Sequence, residues 1–422
     1  MSHCLSRAIA ASLFLLALPG WAQSSLTLPQ ALQLAVDRSQ QLVAVEASAS
    51  AAAELARSAG QLPDPVLKAG VDNVPLSGAG RFSLSQDFMT MTRVGVMQEL
   101  TRGDKRRLRV ERADQERRRI EAQRQQMLAN VQRETALAWI ERRYAQAQVQ
   151  LVQQQLQETK LQIEAAEVAF RTGRGSQADV FAGRAALAAL EDRRRETEQQ
   201  AQSAGLMLAR WARPQAAAAS AIGSVPWQET PVQHTLVQHL EGHPTLRVLA
   251  AQVAAAETEV RLADADRHPD VTVEAAYLRR GPAFPDMFSV GLSVPLPIAR
   301  ADRQDRQVAA RLANLAQARA LYADGLAEHE AMVGVLVNDW SSSKERLARL
   351  QAELLPAALN RTEAAAAAYR GGKADLGMVL AARRDALDAR MRLLQLEMET
   401  ARLWARLHFL VPQDVAVTGG RP

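Results

Sequence analysis

From Leu137 onward, apolar side chains return at alternating steps of three and four: Leu137, Ile140, Tyr144, Ala147 and Leu151, then Leu161, Ala165 and Val168. Gln154 and Glu158 are the polar exceptions. This spacing predicts a coiled-coil seam. The surfaces between are rich in Gln and Arg, as at Gln146, Gln148, Gln150 and Gln153, which suits a helix wetted on both sides of a wall. With no internal proline between Asp104 and Arg171, the helix would be ~100 Å long at 1.5 Å per residue. One compact core cannot hold such a rod, and a plain solvated coiled coil explains this stretch equally well.

Four extended stretches decide between these readings. They are expected near 66–73 and 93–100, then near 271–278 and 288–296. Their alternation is modest: Val290, Leu292 and Val294 interleave with Gly291 and Ser293, as in barrel strands with one lipid face and one wet face. The bland alternative is a small soluble sheet domain. Four strands are too few to close a membrane barrel, so several chains would have to contribute.

The parts recur in order. Helical segments Leu28–Gly60 and Thr235–Asp266 each end near a Pro-Asp pair, Pro63-Asp64 or Pro269-Asp270. Two extended stretches and a long charged helix, 104–171 or 302–370, follow each. The helices stop at Thr172-Gly173 and Gly371-Gly372, and returning helices run to about Arg213 and Leu410. Both landmarks repeat at roughly 200 residues, which favours duplication. Pro356 should kink or locally unwind the second long helix. The expected organisation is a leader over 1–22, a first repeat over 23–213, a linker over 214–234, a second repeat over 235–411 and a tail over 412–422.

Composition narrows the class. Only 4% of the 422 residues are aromatic, while Ala, Leu, Gln, Arg and Glu dominate, favouring long helices over a sheet-based enzyme. The apolar run Ala8–Leu18, ending in Pro19-Gly20-Trp21-Ala22, reads as a cleavable export signal. The single cysteine, Cys4, precedes that run, so it cannot be a lipid-anchor cysteine and no disulfide is expected in the mature chain. No later apolar run reaches the ~18 residues of a spanning helix, so a spanning structure would be a β-barrel. The formal charge of +5 is interspersed along helices, a solvated face and not a nucleic-acid footprint.

With export signal, duplicated halves, paired strands and glycine stops assembled, the chain resembles the TolC-type outer-membrane efflux family. The most specific motifs are Arg171-Thr172-Gly173-Arg174-Gly175-Ser176-Gln177-Ala178-Asp179-Val180, similar to the family's helix-turn-helix at the periplasmic end, and the strand entry Val94-Gly95-Val96-Met97-Gln98-Glu99-Leu100. The resemblance implies a mainly α fold with a membrane β-barrel contribution. Long coiled-coil helices would form a periplasmic α-barrel, and a homotrimer would pool four strands per subunit into one barrel. It further implies residence in the outer membrane among its lipid, and service to a periplasmic adaptor (membrane fusion protein) and an inner-membrane pump, expected to be of the RND type. Leu62-Pro63-Asp64-Pro65-Val66-Leu67 and Asp72-Asn73-Val74-Pro75, with Asp87-Phe88-Met89-Thr90-Met91, look more like the heavy-metal branch than like multidrug channels. The alternative is a periplasmic adaptor or coiled-coil scaffold. An adaptor, however, should have one helical hairpin flanked by β domains.

Candidate site residues follow. Turn and gate candidates are Gly173, Arg174, Ser176 and Asp179, with Gly371, Gly372, Lys373 and Asp375 in the second turn, where Met378 takes the place of Asp179. Asp179 is expected either to cap its own helix or to pair with a cation such as Arg174. Phe82, Phe88, Tyr277, Phe284 and Phe288 are candidate membrane-interface anchors. His234, His239 and His243, followed by His268, invite a metal site, but their spacing places them only loosely on one helical face and no Cys accompanies them; a surface or linker role is expected. Met89, Met91 and Met97 could offer thioethers to a soft metal, yet methionine more often fills gaps. No nucleophile elbow, phosphate loop or zincin pair is present, so neither catalytic, metal nor cofactor residues are expected.

Overall fold

A computed structural model describes residues 25–227 and 240–413. The leader with Cys4, His234, His239, the later part of the linker and most of the tail lie outside the described residues.

In chain order the elements are β1 (Ser25–Leu26), α1 (Leu28–Arg38), α2 (Gln40–Ser58), β2 (Val66–Asp72), β3 (Met91–Leu100), α3 (Gly103–Arg171) and α4 (Gln177–Trp211). Then follow β4 (Ser220–Ala221), α5 (Pro244–Ala265), β5 (Val271–Arg279), β6 (Met287–Ser293), α6 (Gln304–Arg349), α7 (Leu355–Arg370) and α8 (Leu376–His408). Two corrections stand out against the expected elements. The first helical segment is broken, because the Ser39 hydroxyl caps α2 by accepting the Leu42 N–H. Val294 and Leu296 fall outside the fourth strand, which ends at Ser293.

The chain forms two compact units. One gathers residues up to 35, 135–225 and 347–398. Here α3 packs through Val152, Leu156, Thr159, Ile163 and Ala166, all nearly inaccessible and again spaced by four and three. Val152 meets Leu387 and Met391 of α8; Ala166 meets Val180 of α4, Ala365 of α7 and Leu376, Val379 and Ala382 of α8. Of the stripe expected from sequence, Ile140 is fully buried and Leu151 packs against Val152, Leu387 and Met391, whereas nearer the turn the covered positions are Ile163 and Ala166, leaving Leu161 66% and Val168 48% exposed. Toward its C-terminal end α3 carries two apolar stripes, and among the described residues only one is covered. Trp139 is fully buried and donates its indole N–H to the Leu26 carbonyl at 2.8 Å, tying α3 to β1. The parallel pairing of β1 with β4 had no sequence signal.

Pro356 acts as expected, through a π turn over Leu350–Leu354 just before it. A proline there has no N–H to give the Ala352 carbonyl; the turn widens and the Leu355 N–H bonds Leu350 instead.

The other unit gathers 36–134, 226–346 and 399 onward. It holds an antiparallel sheet in the order β2-β3-β5-β6. Strands β2 and β5 start, and β3 and β6 finish, at the same end of the sheet, where the chain enters or leaves helices. Both hairpin connections, 73–90 and 280–286, lie at the other end.

Candidate membrane sheet and helix-turn clasp

Register sorts the sheet's side chains into two chemically distinct faces. One face carries the cross-strand rows Leu67–Val96–Ala275–Val290 and Ala69–Val94–Tyr277–Phe288. Their large members are solvent-exposed, Phe288 at 70% and, farther along β6, Leu292 at 73%. The other face carries Lys68, Asp72, Arg93 and Glu274 in one ion-paired chain. Lys68 Nζ lies 2.9 Å and Arg93 Nη1 3.2 Å from the Glu274 carboxylate, and Arg93 Nε lies 2.9 Å from Asp72. An exposed face dominated by apolar side chains would be costly in water at this size, whereas alternation of lipid-facing and wet side chains is what a barrel strand requires. Among the described residues both outer strands have open edges.

Of the five aromatic candidates, Tyr277 and Phe288 are direct neighbours on the apolar face. Phe82 and Phe88 are exposed in the 73–90 connection, and Phe284 is half-buried in the 280–286 connection. The methionines do not converge: Met91 and Met97 share the polar face six residues apart on β3, about 20 Å along the strand, and Met89 precedes it. His243 is not on a helical face. It is the N-cap residue of α5, almost completely buried, with Nδ1 2.5 Å from Nε2 of buried His329, a partner in α6 that sequence reading missed. Burial first, then the neighbouring imidazole, lowers His243 to about 4. Among the described residues no three His, Cys, Asp or Glu side chains form a metal-holding group.

The two helix-stop turns have the same backbone. Gly173 has φ 70° and Gly372 φ 69°, conformations that glycine adopts without a Cβ clash. Arg174 N–H bonds Ala169 and Gly173 N–H bonds Phe170; Lys373 N–H bonds Ala368 and Gly372 N–H bonds Tyr369. These are two copies of one C-terminal capping motif. Gly371 has φ −83° and is not a conformational requirement.

Ser176 caps α4 in a reciprocal box: its hydroxyl accepts the Asp179 N–H at 3.1 Å, while Asp179 Oδ2 accepts the Ser176 N–H at 3.2 Å and hydroxyl at 2.8 Å. The other carboxylate oxygen accepts the Leu376 N–H of α8 at 3.0 Å. Asp179 therefore joins the two turns. Burial would raise its pKa, but the bonds from Ser176 and Leu376 outweigh it and hold the carboxyl below its ordinary value. Arg174 donates instead to the Thr172 hydroxyl, and among the described residues no ion pair links it to Asp179. In the second turn Asp375 accepts the Met378 N–H at 2.8 Å, so the cap is an Asp one position before α8 and no N3 carboxylate is present. Lys373 and Gly371 are exposed.

Comparison with known proteins bears on this geometry. Residues 235–411 match the family model described as outer membrane efflux protein. That match spans less than half of the chain, the second half. Solved structures agree in fold. The outer-membrane channel OprN superposes with a TM-score of 0.76 at 20% identity, covering 92% of this chain and 90% of that one. VceC of Vibrio cholerae gives 0.74 at 21%, covering 91% and 95%. CusC gives 0.76 at 15%, covering 92% of each. No curated protein sequence matches. These likenesses show a shared fold over nearly the whole chain.

Proposed function

We propose that this chain is a TolC-type outer-membrane efflux protein, resident in the outer membrane with its long helices on the periplasmic side, and one subunit of a trimeric, passive exit duct reading as two tandem repeats, 23–213 and 235–411. Three sheets pool into one barrel, and the long helices form a periplasmic α-barrel that meets an adaptor and an inner-membrane pump of the RND type. The observation that carries this reading is the two-faced sheet, apolar and exposed on one side, ion-paired on the other, with both edges open to pairing. The uncovered stripe of Leu161, Ala165 and Val168 supports it by giving α3 a second surface for a neighbouring copy. The experiment is membrane fractionation with semi-native electrophoresis. A heat-sensitive trimer in the outer fraction is expected, whereas a soluble monomer would favour the adaptor or scaffold class.

The paired turns are proposed as the periplasmic mouth, with the Asp179–Leu376 bond repeated in each subunit as part of its closed state. The motif resemblance of 62–75 and 87–91 supports heavy-metal cations as cargo, moved through the duct and not held. Deleting the gene should then reduce tolerance of metals and spare tolerance of organic compounds.

A further inference from the structure

The hairpin end of the sheet carries a second chemistry that the channel reading does not use. Arg279 is the last residue of β5 and lies on the apolar face, two positions beyond Tyr277 and opposite Thr92. Beside it the two hairpin connections meet: a Cβ on Gly281 would stand 3.0 Å from the Ser85 carbonyl oxygen. Each connection presents an arginine on an aromatic ring. The Arg81 guanidinium lies 4.8 Å from the Phe82 ring centre, and that of Arg280 lies 5.7 Å from the Phe284 ring centre.

These pairs are built features. Phe82 has φ +60°, a conformation a bulky side chain adopts only when held, and here its N–H bonds the Pro75 carbonyl at 2.8 Å. Arg280 is oriented by its Nε bond to the Pro285 carbonyl at 3.1 Å. The nearby carboxylates have other work: Asp87 accepts the Met89 N–H and Asp286 the Tyr277 hydroxyl. Among the described residues no ion pair is made by Arg81, Arg279 or Arg280.

We propose that this rim binds the phosphate group of an anionic membrane lipid. Arginine forks match phosphate bidentately and stay charged at any working pH, while the adjoining rings and the apolar face accept the acyl region. The site rests on the channel reading, which places the hairpin end at the outer leaflet and the apolar face in the bilayer. Charge complementarity favours a phosphorylated lipid over a zwitterionic one.

The probe is bisphosphorylated lipid A in phosphatidylcholine nanodiscs holding the full chain, read by native mass spectrometry after detergent release. The parent should retain lipid A, and Arg81→Gln/Arg279→Gln/Arg280→Gln should retain about tenfold less. The matching Lys variant should fall between them, dephosphorylated lipid should not be retained, and inorganic phosphate should not displace the lipid. Equal retention by the parent and the Gln variant, or displacement by free phosphate, would overturn the proposal. Flotation with plain phosphatidylcholine vesicles separates the two readings. If both proteins float and lipid A retention is equal, only this site is wrong; if neither floats, the channel reading and this site fail together.

Discussion

Leu376 is the first residue of α8, so its N–H has no acceptor within that helix. Its acceptor is Asp179 Oδ1, 3.0 Å away on a different helix. Replacing Asp179 by Ala therefore tests the clasp at one atom. A hydrogen bond to a charged group contributes about 1.5–3 kcal/mol, and partial exposure of Asp179 argues for the lower end. About 1.5 kcal/mol corresponds to roughly a tenfold rise in the open population. Amide exchange at Leu376 should accelerate by that factor, and loss of the box with Ser176 should fray the first turn of α4 by about 1 kcal/mol. Asp179→Asn keeps an acceptor oxygen and should show a smaller rise. The carboxyl is depressed in the fold, so its stabilisation is complete above the unfolded pKa and is lost as pH falls through the lower folded value. After correction for intrinsic exchange, the parent should lose protection in that acid window and the Ala variant should show no such step. In planar bilayers, Asp179→Ala should raise single-channel conductance at unchanged trimer yield. Unchanged Leu376 exchange would refute the clasp. Faster exchange with unchanged conductance would leave it a structural cap.

Leu292→Arg, on the exposed apolar face, should cost ~2–4 kcal/mol if it lies near the bilayer midplane, and Ser289→Arg, on the polar face, should cost far less; equal heat resistance of both trimers would count against the barrel. His243 titrates near 4 in the fold against about 6.5 unfolded, so its neutral form contributes stability present above pH 6.5 and lost as pH falls toward 4, up to about 3 kcal/mol. Thermal unfolding across that range should show the loss in the parent and a smaller one in His329→Gln; a flat parent profile would contradict the buried neutral pair. Trp139→Phe keeps the packing but removes the donor to Leu26, and about 1 kcal/mol of destabilisation is expected, with earlier exchange at β1. Wild-type stability would show that water replaces the lost bond at no cost.

Local rules made much of this protein legible from sequence alone. Proline-free runs gave the long helices, Gly173 and Gly372 gave their stops, Pro356 gave the break, and alternation gave the four strands, because each depends on backbone chemistry within a few residues. Tertiary packing decided what periodicity leaves open. On α3 two apolar stripes satisfy the same spacing near Leu161 and Ile163, and only the presence of α4, α7 and α8 determines which is covered. The partner of Asp179 is an amide far away in sequence, and the partner of His243 is a histidine on another helix, so neither could be read from local spacing. The sheet lies between. Weak alternation in each strand became a clear division of faces only when register aligned four strands, since a shift of one residue would have mixed exposed apolar with ion-paired side chains.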